Sequence, residues 1–512
     1  MTEPLKTLLA QENQPEPAWR RRAKIVCTLG PSSDSEQQIR QLLLLGMDVA
    51  RLNFSHGTHE EHLRRIRTLR KVAAQLRRTV CILQDLQGPK IRTGPLRNHT
   101  PVNLICGSRI VITNKEIEGT AERLGTSFTT LAREVAIGSR ILLSDGRLSL
   151  KVLRIKGDDV VCEVVDGGLL GEHQGINLPG AVLSVPSLTA KDKKDLAFGL
   201  SVRVDAVAIS FVRSAADIRA VKKIIARAGC DTPVIAKLEK PQAIENLEEI
   251  LQVADGVMVA RGDLGVEVPP EKVPIIQKRI IRRALHWRKP VITATQMLDS
   301  MIQNPRPTRA EASDVANAVY DGTDALMLSG ETASGQHPCE AVSMMARIVV
   351  EAEADIRRVA APRRRENRQL TIPEAICESV AHVAEELNMR GIAVFTTTGT
   401  TAGLIAKYRP RAEVYAFSHL PEVCNRMNLY WGVRPVPIKV LHSVDAMVQA
   451  AEAELRRARV AAAEDVIAIV AGTRTVAAGS TNFIRLHRIR PLNRANGKPA
   501  RSKKTNTEGV KL

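Results

Sequence analysis

The chain has 512 residues, which is too many for one hydrophobic core, so two to four domains are expected. Hydrophobic residues make up 44% and charged residues 25%, a balance typical of soluble globular proteins, and no apolar run approaches the roughly 18 residues of a membrane span. The N-terminus lacks the basic start and apolar core of a secretory signal, and the eight cysteines are scattered without a CxxC spacing. We therefore expect a cytoplasmic protein with free, mostly buried thiols and no membrane partner.

Eight short runs share an apolar body followed by a polar tip. In chain order they are AKIVCTLG (23–30), MDVARLNFSHG (47–57), VCILQDLQG (80–88), VDAVAISF (204–211), PVIAKLE (233–239), GVMVARGD (256–263), PVITATQ (290–296) and DALMLSGET (324–332). Helix-like stretches follow several of them, and eight such strands predict a (β/α)8 TIM barrel, whose active site lies at the carboxyl ends of the strands. A doubly wound open sheet would also alternate strands and helices, but no GxGxxG follows any of these runs.

The polar tips of these runs supply anion and cation partners. Apart from those of the runs 233–239 and 256–263, the tips contribute Arg51, Asn53, Ser55, Asp85, Thr295 and Ser329.

The runs at 233–239 and 256–263 are joined by an amphipathic stretch that predicts one helix of about a dozen residues, and so a βαβ unit. Lys237 and Glu239 end the first run, and Arg261, Gly262 and Asp263 end the second. Buried charges are costly unless they are paired. The pattern is explained if Glu239 and Asp263 share a divalent cation while Lys237 faces an anion held by that cation. A buried Lys–Glu–Asp ion-pair cluster is the alternative.

Between the third and fourth runs the helical pattern stops. Short alternating runs with Gly and Asp turns predict an inserted β domain, placed to act as a lid over the barrel. After the last barrel helix, the polar stretch 361–369 precedes alternating helices and strands of a smaller α/β domain. The expected organisation is an N-terminal segment (1–18), the barrel (19–87 and 187–360), the lid (88–186), the C-terminal domain (361–486) and a tail (487–512).

Residues 485–512 hold nine Lys or Arg against one Glu, which contributes +8 of the net charge of +19. This composition predicts a disordered, solvated tail. Nucleic-acid binding is not expected, because aromatic residues make up only 3% of the chain and no base-stacking platform is evident.

Seven motifs, collinear and similarly spaced, resemble those of pyruvate kinases. They are RLNFSHG (51–57), DLQGPKIRTG (85–94), IAKLEKPQA (235–243), MVARGDLGVE (258–267), ITATQMLDSM (292–301), PTRAEASDVANAV (307–319) and MLSGETASG (327–335). The resemblance implies an α/β protein, a (β/α)8 TIM barrel with an inserted β-barrel lid domain and a C-terminal α/β regulatory domain. It also implies transfer of the phosphoryl group of phosphoenolpyruvate to ADP, giving pyruvate and ATP in the last step of glycolysis. The enzyme would need Mg²⁺, for which Mn²⁺ can substitute, and would form a homotetramer.

The resemblance assigns roles residue by residue. Glu239 and Asp263 are the implied Mg²⁺ ligands, and the catalytic set is Lys237, Arg51 and Thr295. Lys237 would stabilise the phosphoryl group in flight, and Thr295 would relay a proton or orient water. The implied substrate contacts are Arg51, Lys237, Gly262, Asp263 and Thr295, and the implied nucleotide contacts are Asn53, Phe54, Ser55, His56 and Arg92.

Two positions depart from the family pattern. A Lys usually precedes GxNLPG, and this chain has Gln174, which puts one nucleotide contact in doubt. Many members have Glu where this chain has Lys90, and those members need K⁺. A Lys is a built-in positive charge, so K⁺ is not expected to be required here. The implied K⁺ cage is nevertheless intact at Asn53, Ser55, Asp85 and the Leu86 carbonyl, which leaves binding of a monovalent ion open.

The loop TTTGTT (396–401) lies between a strand and a helix, where hydroxyls and free N–H groups favour an anion. In the family the corresponding loop binds a phosphorylated effector. The implied contacts are Thr397, Thr398, Gly399, Thr400 and Thr401, with Arg474 of the loop 472–482. The motifs resemble the bacterial subgroup that AMP or sugar monophosphates activate.

Two other readings of the sequence stay open. Another enolpyruvate-handling barrel enzyme, an aldolase or lyase, would share the metal pair. A scaffolding or nucleic-acid-binding protein with a relict barrel would belong to a different class.

Overall fold

The computed structural model describes residues 21–181, 185–359, 369–472 and 481–491. The predicted N-terminal segment, the tail beyond 491 and Arg474 lie outside these residues. The first barrel strands are β1 (Lys24–Thr28), β2 (Val49–Asn53) and β3 (Cys81–Asp85), and the helices between them are α1 (Glu36–Leu45) and α2 (His59–Gln75). Helix α1 begins after Ser35, whose hydroxyl accepts the Gln38 N–H, and ends at Gly46 with φ +117°.

An inserted β domain follows β3. Its strands and single α-helix in the described segment 88–181 are β4 (Val102–Leu104), β5 (Arg109–Thr113), β6 (Arg123–Gly125), α3 (Leu131–Glu134), β7 (Arg140–Leu143), β8 (Leu148–Lys156), β9 (Asp159–Asp166), β10 (Gly168–Leu170) and β11 (Ile176–Asn177). Six of the strands form a sheet in the order β11-β7-β8-β9-β5-β6, and β10 pairs with β4. Ile110, Leu150 and Val160 lie in a core of its own, separate from that of the barrel.

The chain then returns to complete the barrel with β12 (Ala206–Ile209), β13 (Val234–Leu238), β14 (Gly256–Ala260), β15 (Val291–Ala294) and β16 (Ala325–Leu328). The strands close in the order β1-β16-β15-β14-β13-β12-β3-β2, all parallel. Ile235, Met258 and Ile292 help to fill the interior. Each of the eight predicted runs supplies one barrel strand, so the predicted TIM barrel is confirmed.

Helices α1 and α2 begin the outer layer, which continues with α4 (Ala190–Ser201), α5 (Ala215–Arg227), α6 (Pro241–Glu245), α7 (Leu247–Val253), α8 (Arg261–Glu267), α9 (Val273–His286), α10 (Arg309–Asp321), α11 (Gly330–Ala333) and α12 (Pro338–Val359). The expected single helix between β13 and β14 is wrong, because α6 and α7 are separate helices. Asn246 joins them with φ −91° and ψ 20°, outside regular helical geometry. Its side-chain amide donates to the Arg213 carbonyl at 2.9 Å.

The C-terminal domain contains α13 (Ile372–Glu386), β17 (Gly391–Phe395), α14 (Thr400–Lys407), β18 (Glu413–Ser418), α15 (Pro421–Arg426), β19 (Val433–Pro437), α16 (Val444–Arg457), β20 (Val466–Ala471) and β21 (Phe483–Arg488). Its sheet order is β19-β18-β17-β20-β21, with β21 antiparallel to β20. Strand β21 continues to Arg488 and Ile489 is buried, so the ordered domain runs past the boundary expected at 486. Asp324, just before β16, pairs with Lys407 and Arg409 and ties this domain to the barrel.

The cysteines are free and most are buried, as expected. Within the described ranges, no helix combines the length and hydropathy that crossing a membrane requires.

Candidate active site

The predicted strand tips meet at the carboxyl end of the barrel, around the ammonium group of Lys237. Its Nζ lies 2.8 Å from Glu239 Oε1 and 3.4 Å from Asp85 Oδ1. It also donates a hydrogen bond of 2.7 Å to Ser210 Oγ. Glu239 and Asp85 are each 1% exposed, and Lys237 is 9% exposed. The cluster is therefore a set of buried charges at the ends of three adjacent strands, β3, β12 and β13, as the order of the barrel requires.

These buried charges shift one another's pKa values. Burial alone lowers the pKa of Lys237, but the carboxylates of Asp85, Glu239 and Asp263 outweigh it and raise that pKa above its ordinary value. Burial raises the pKa of Asp85, and the charges of Lys237 and Arg51 reverse the shift, so the pKa is lowered overall. Lys237 is thus held as a cation at neutral pH, which is the state that an electrostatic catalyst requires.

Arg51 is held in place from two sides. Its Nε donates to Asp85 Oδ2 at 2.7 Å, and its Nη1 donates to Thr28 Oγ1 at 3.0 Å. The side chain is buried, and strand pairing places Arg51 and Asp85 on the neighbouring strands β2 and β3. A pre-organised guanidinium at this position can bind an anionic group without having to be ordered first.

Glu239 and Asp263 are the two carboxylates that would hold a divalent cation. Glu239 Oε2 accepts the Phe211 N–H at 2.9 Å, and its buried Oε1 lies 2.8 Å from the Lys237 ammonium. Burial raises the pKa of Glu239, Lys237 lowers it, and the nearby Asp263 raises it again, for a net increase. Two adjacent carboxylates that destabilise each other are stabilised by a divalent cation.

In the part of the chain that the structure describes, no three His, Cys, Asp or Glu side chains converge as a metal cage. A cation here would thus have two carboxylate ligands, with water or substrate oxygens completing its coordination. This arrangement suits Mg²⁺, which keeps several non-protein ligands.

Thr295 faces the start of helix α8 across the strand ends. Its Oγ accepts the Gly262 N–H at 2.7 Å and donates to the Ala294 carbonyl at 2.6 Å. A Cβ at position 262 would lie 3.4 Å from that hydroxyl oxygen, so a side chain there would pack directly against Thr295. Helix α8 begins directly where β14 ends at Ala260. Gly262 and Thr295 are therefore in direct contact, and Asp263 is the next residue of helix α8.

The residues assigned to the nucleotide lie beside this cluster. His56 is exposed, and its pKa is lowered first by partial burial and then by the positive charges of Arg92 and Lys90. Phe54 differs, because its ring is buried and stacks on His62 at 4.1 Å between centroids. The Phe54 ring is thus closed to a ligand, and its carbonyl already accepts the Lys191 ammonium at 2.7 Å. The exposed Lys90 and the half-buried Arg92 can meet phosphates.

The four residues of the implied K⁺ cage lie at the ends of β2 and β3, where Asn53 pairs in register with Asp85. Asn53 Oδ1 accepts the Ser55 N–H at 3.1 Å. The Leu86 carbonyl accepts the Ser210 hydroxyl at 2.8 Å, and one Asp85 oxygen is bonded to Arg51. Several of the oxygens that would hold K⁺ therefore already have protein partners.

Lys90 and Gln174, which depart from the family pattern, both lie at the lid. A Cβ on Gly175 would lie 3.4 Å from Lys90 Cε, so the Lys90 stem runs along the lid backbone with its ammonium exposed. Gln174 Oε1 accepts the Ser144 hydroxyl at 3.2 Å, and its Nε2 donates to the Glu172 carbonyl at 3.1 Å. The Gln174 amide is thus engaged within the lid.

The TTTGTT loop begins helix α14. Thr397, Thr398 and Thr400 are exposed, and Gly399 has φ +81°. Thr401 differs from them, because its hydroxyl is buried and lies 2.5 Å from that of Thr481. This pairing leaves Thr401 unable to offer the same hydroxyl freely to a ligand.

Three supporting residues were not predicted from the sequence. Ser210 and Thr28 hold Lys237 and Arg51, and both lie at the ends of predicted strands, so the rule that selected the other tips could have found them. Thr396 Oγ accepts the Gly399 N–H at 2.9 Å and shapes the loop. No pattern in the sequence distinguished Thr396 from its neighbours.

Comparisons with known proteins show the family. The family model for the barrel domain of pyruvate kinase matches residues 20–342, and that for its alpha/beta domain matches residues 374–487. A pyruvate kinase from Staphylococcus aureus strain MRSA252 is 46% identical over 473 residues, covering 92% of this chain and 80% of that protein. The pyruvate kinase of strain USA300 has the same identity and coverage. A crystal structure of a pyruvate kinase from Cryptosporidium parvum has a TM-score of 0.85 and 37% identity, covering 92% of this chain and 97% of that one. The chain belongs to the pyruvate kinase family.

Proposed function

We propose that this protein is a cytoplasmic pyruvate kinase, which transfers the phosphoryl group of phosphoenolpyruvate to ADP in the last step of glycolysis. The observation that carries the proposal is the buried Lys237 ammonium, held between Glu239 and Asp85 beside a pre-oriented Arg51. Phosphoryl transfer depends mainly on positioning and on neutralising charge. Fixed cations in a site with little water supply both.

The metal belongs to the same proposal. Glu239 and Asp263 would hold Mg²⁺, or Mn²⁺ in its place, and the bound ion would offset charge on the phosphoryl group and polarise the enolate oxygen. The two carboxylates fit this role because their mutual repulsion and burial favour a divalent cation between them. Lys237 would then face the transferring group, where its charge acts on the transition state.

The proposed reaction has two steps, phosphoryl transfer and protonation of the enolate. A terminal oxygen of the ADP β-phosphate bonds to phosphorus as the bond from phosphorus to the enol oxygen breaks, and the enolate then takes a proton at its methylene carbon. Thr295 lies beside Gly262 at the strand ends and would orient water or relay that proton. Its hydroxyl is too weak an acid at neutral pH to act alone.

Regulation and assembly complete the proposal. A phosphorylated small molecule, AMP or a sugar monophosphate, would bind the exposed hydroxyls of Thr397, Thr398 and Thr400 and activate a homotetramer. The Lys90 ammonium would stand in for K⁺, and the protein partners that several cage oxygens already have support this substitution. The lid would close over the nucleotide, with Arg92 at its root.

The deciding experiment measures pyruvate formation with lactate dehydrogenase. The mixture contains the purified chain, phosphoenolpyruvate, ADP and Mg²⁺, and it is run with and without K⁺. The proposal expects turnover that requires both ADP and Mg²⁺. Pyruvate chemistry without ADP would instead support an aldolase or lyase. Catalytic silence, together with salt-dependent RNA binding that is lost on deleting 487–512, would support the relict scaffold.

A further inference from the structure

The turn that carries Thr295 has an unfavourable backbone conformation. Thr295 has φ +70° and Gln296 has φ +53°, so two consecutive residues with side chains lie in the left-handed region. A β-branched residue rarely adopts this region, and such strain persists only where surrounding groups enforce it. Something outside the turn must therefore hold it in place.

The guanidinium of Arg261 is the group that holds the turn. Its Nη2 donates to the Thr295 carbonyl at 2.7 Å and to the Gln296 carbonyl at 3.2 Å. Its Nε lies 3.2 Å from the same Thr295 oxygen and 3.3 Å from the Ala294 carbonyl. One side chain thus binds three successive carbonyls across the strained turn, and it is only 10% exposed.

The opposite edge of the guanidinium is fixed by the outer helices. Nη1 contacts both carboxylate oxygens of Asp314 in α10, at 2.6 and 2.8 Å, and lies 3.4 Å from Gln277 Oε1 in α9. A planar fork can satisfy both edges at once, whereas a lysine ammonium is a single point donor on a flexible stem.

Arg261, whose guanidinium acts as a clamp on the turn, is followed directly by Gly262. The clamp and the Gly262 N–H therefore belong to adjacent residues. The Gly262 N–H donates to Thr295 Oγ while the preceding side chain holds the Thr295 carbonyl. The hydroxyl is therefore set relative to helix α8 by two adjacent residues.

We propose that Arg261 is a positioning residue that holds Thr295 in its reactive orientation and contributes to turnover through Thr295 alone. This inference rests on the proposed function, because it assigns Thr295 to that reaction. The alternative role is an ordinary structural tie between helices α8 and α10. A structural tie would affect stability and turnover whether or not residue 295 carries a hydroxyl.

A double-mutant cycle separates the two roles. Arg261→Lys keeps the charge and loses the fork, and we expect kcat to fall about 100-fold, the loss that a misplacement of about 1 Å can cause. In the Thr295→Ala background, the same change should alter kcat by less than about threefold, because the group it positions is gone. Additive losses, or a Thr295→Ala variant that loses less than Arg261→Lys, would overturn the proposal.

A second variant covers the outcome in which Arg261→Lys fails to fold. Asp314→Asn loosens the far edge of the guanidinium, and the Asp314 side chain is 37% exposed, so the barrel should tolerate it. We expect a smaller fall in kcat, about threefold to tenfold, which disappears in the Thr295→Ala background. Unchanged kcat in a folded Asp314→Asn protein, or a fall that persists without the Thr295 hydroxyl, would contradict the clamp.

Arg283→Lys is the matched control. Arg283 also forms a two-point ion pair with a carboxylate, that of Glu248 at 2.6 and 2.7 Å, but it lies on the outer surface of α9. The Arg283→Lys substitution should leave kcat unchanged. A loss of kcat equal to that of Arg261→Lys would show that any such ion pair matters. Turnover by the wild type tests the proposed function independently, so an active wild type with an additive cycle would refute the clamp alone.

Discussion

Replacing Lys237 with methionine removes the central charge of the site with little change in volume. The ammonium lies 2.8 Å from Glu239 and 3.4 Å from Asp85, and both carboxylates are 1% exposed. Breaking a buried ion pair from one side costs about 3–5 kcal/mol of stability. We expect the lower end of that range, because Arg51 still pairs with Asp85.

The kinetic effect should exceed what this loss of stability explains. A single donor or cation aimed at developing charge contributes about 10²–10³-fold to kcat. The folded Lys237→Met protein should therefore lose at least that factor in ATP formation, whereas solvent proton exchange at the pyruvate methyl group should partly survive. Quenched-flow turnover and proton NMR of pyruvate in deuterated solvent measure the two activities.

Mg²⁺ provides an internal check on the same variant. The Lys237→Met protein lacks the ammonium group that offsets the charges of Glu239 and Asp263. Mg²⁺ should therefore raise its melting temperature more than that of the wild type. Turnover within tenfold of the wild type by the folded variant would remove Lys237 from its assigned role. An equal Mg²⁺ effect on both proteins would place the metal elsewhere.

The remaining predictions concern the monovalent ion, the effector loop and a buried acid. Lys90→Glu should lose activity that added K⁺ restores in part, whereas the wild type should turn over well in K⁺-free tetramethylammonium buffer. Changing Thr397, Thr398 and Thr400 to alanine should keep basal activity and abolish activation by AMP or sugar monophosphates, because coupling requires differential binding. Burial raises the pKa of Asp205 to about 6, so the folded state holds a proton that the unfolded state releases at lower pH. Stability should therefore fall as pH rises from about 4 to 6, by up to about 3 kcal/mol, and Asp205→Asn should lack this slope in urea titrations.

Each prediction has an outcome that would contradict it. A wild type that is inert without K⁺, or a Lys90→Glu protein indifferent to K⁺, would return Lys90 to a surface ion pair worth about 0–1 kcal/mol. Activation that persists in the triple threonine variant would reduce the loop to a turn. Parallel pH curves for the wild type and Asp205→Asn would show that Asp205 titrates near its ordinary pKa.

The barrel could be predicted from the sequence because its determinants are local. Each strand is a short apolar run with a polar tip, and parallel strands bring their tips to one end. Lys237, Glu239 and Asp263 followed from this rule alone. The broken helix at Asn246 could not be predicted, because the break depends on a carbonyl from another segment, that of Arg213.

The contacts of Arg261 and Thr401 could not be predicted from the sequence for the same physical reason. The role of Arg261 depends on three carbonyls of a strained turn 33–35 residues away, and a sequence pattern carries no backbone dihedral angles. Thr401 looked equivalent to the other loop threonines until its pairing with Thr481 was visible. The sequence could place residues at strand ends, but it could not show which partners already occupied them.

The central claim is transfer of a phosphoryl group to ADP at the Lys237 cluster, and phosphorus NMR tests it directly. With phosphoenolpyruvate, ADP, Mg²⁺ and the wild type, the phosphoenolpyruvate signal should be replaced by the γ-phosphate signal of ATP, and with folded Lys237→Met it should persist. Growth of inorganic phosphate without ATP, or equal rates in the two proteins, would contradict the account.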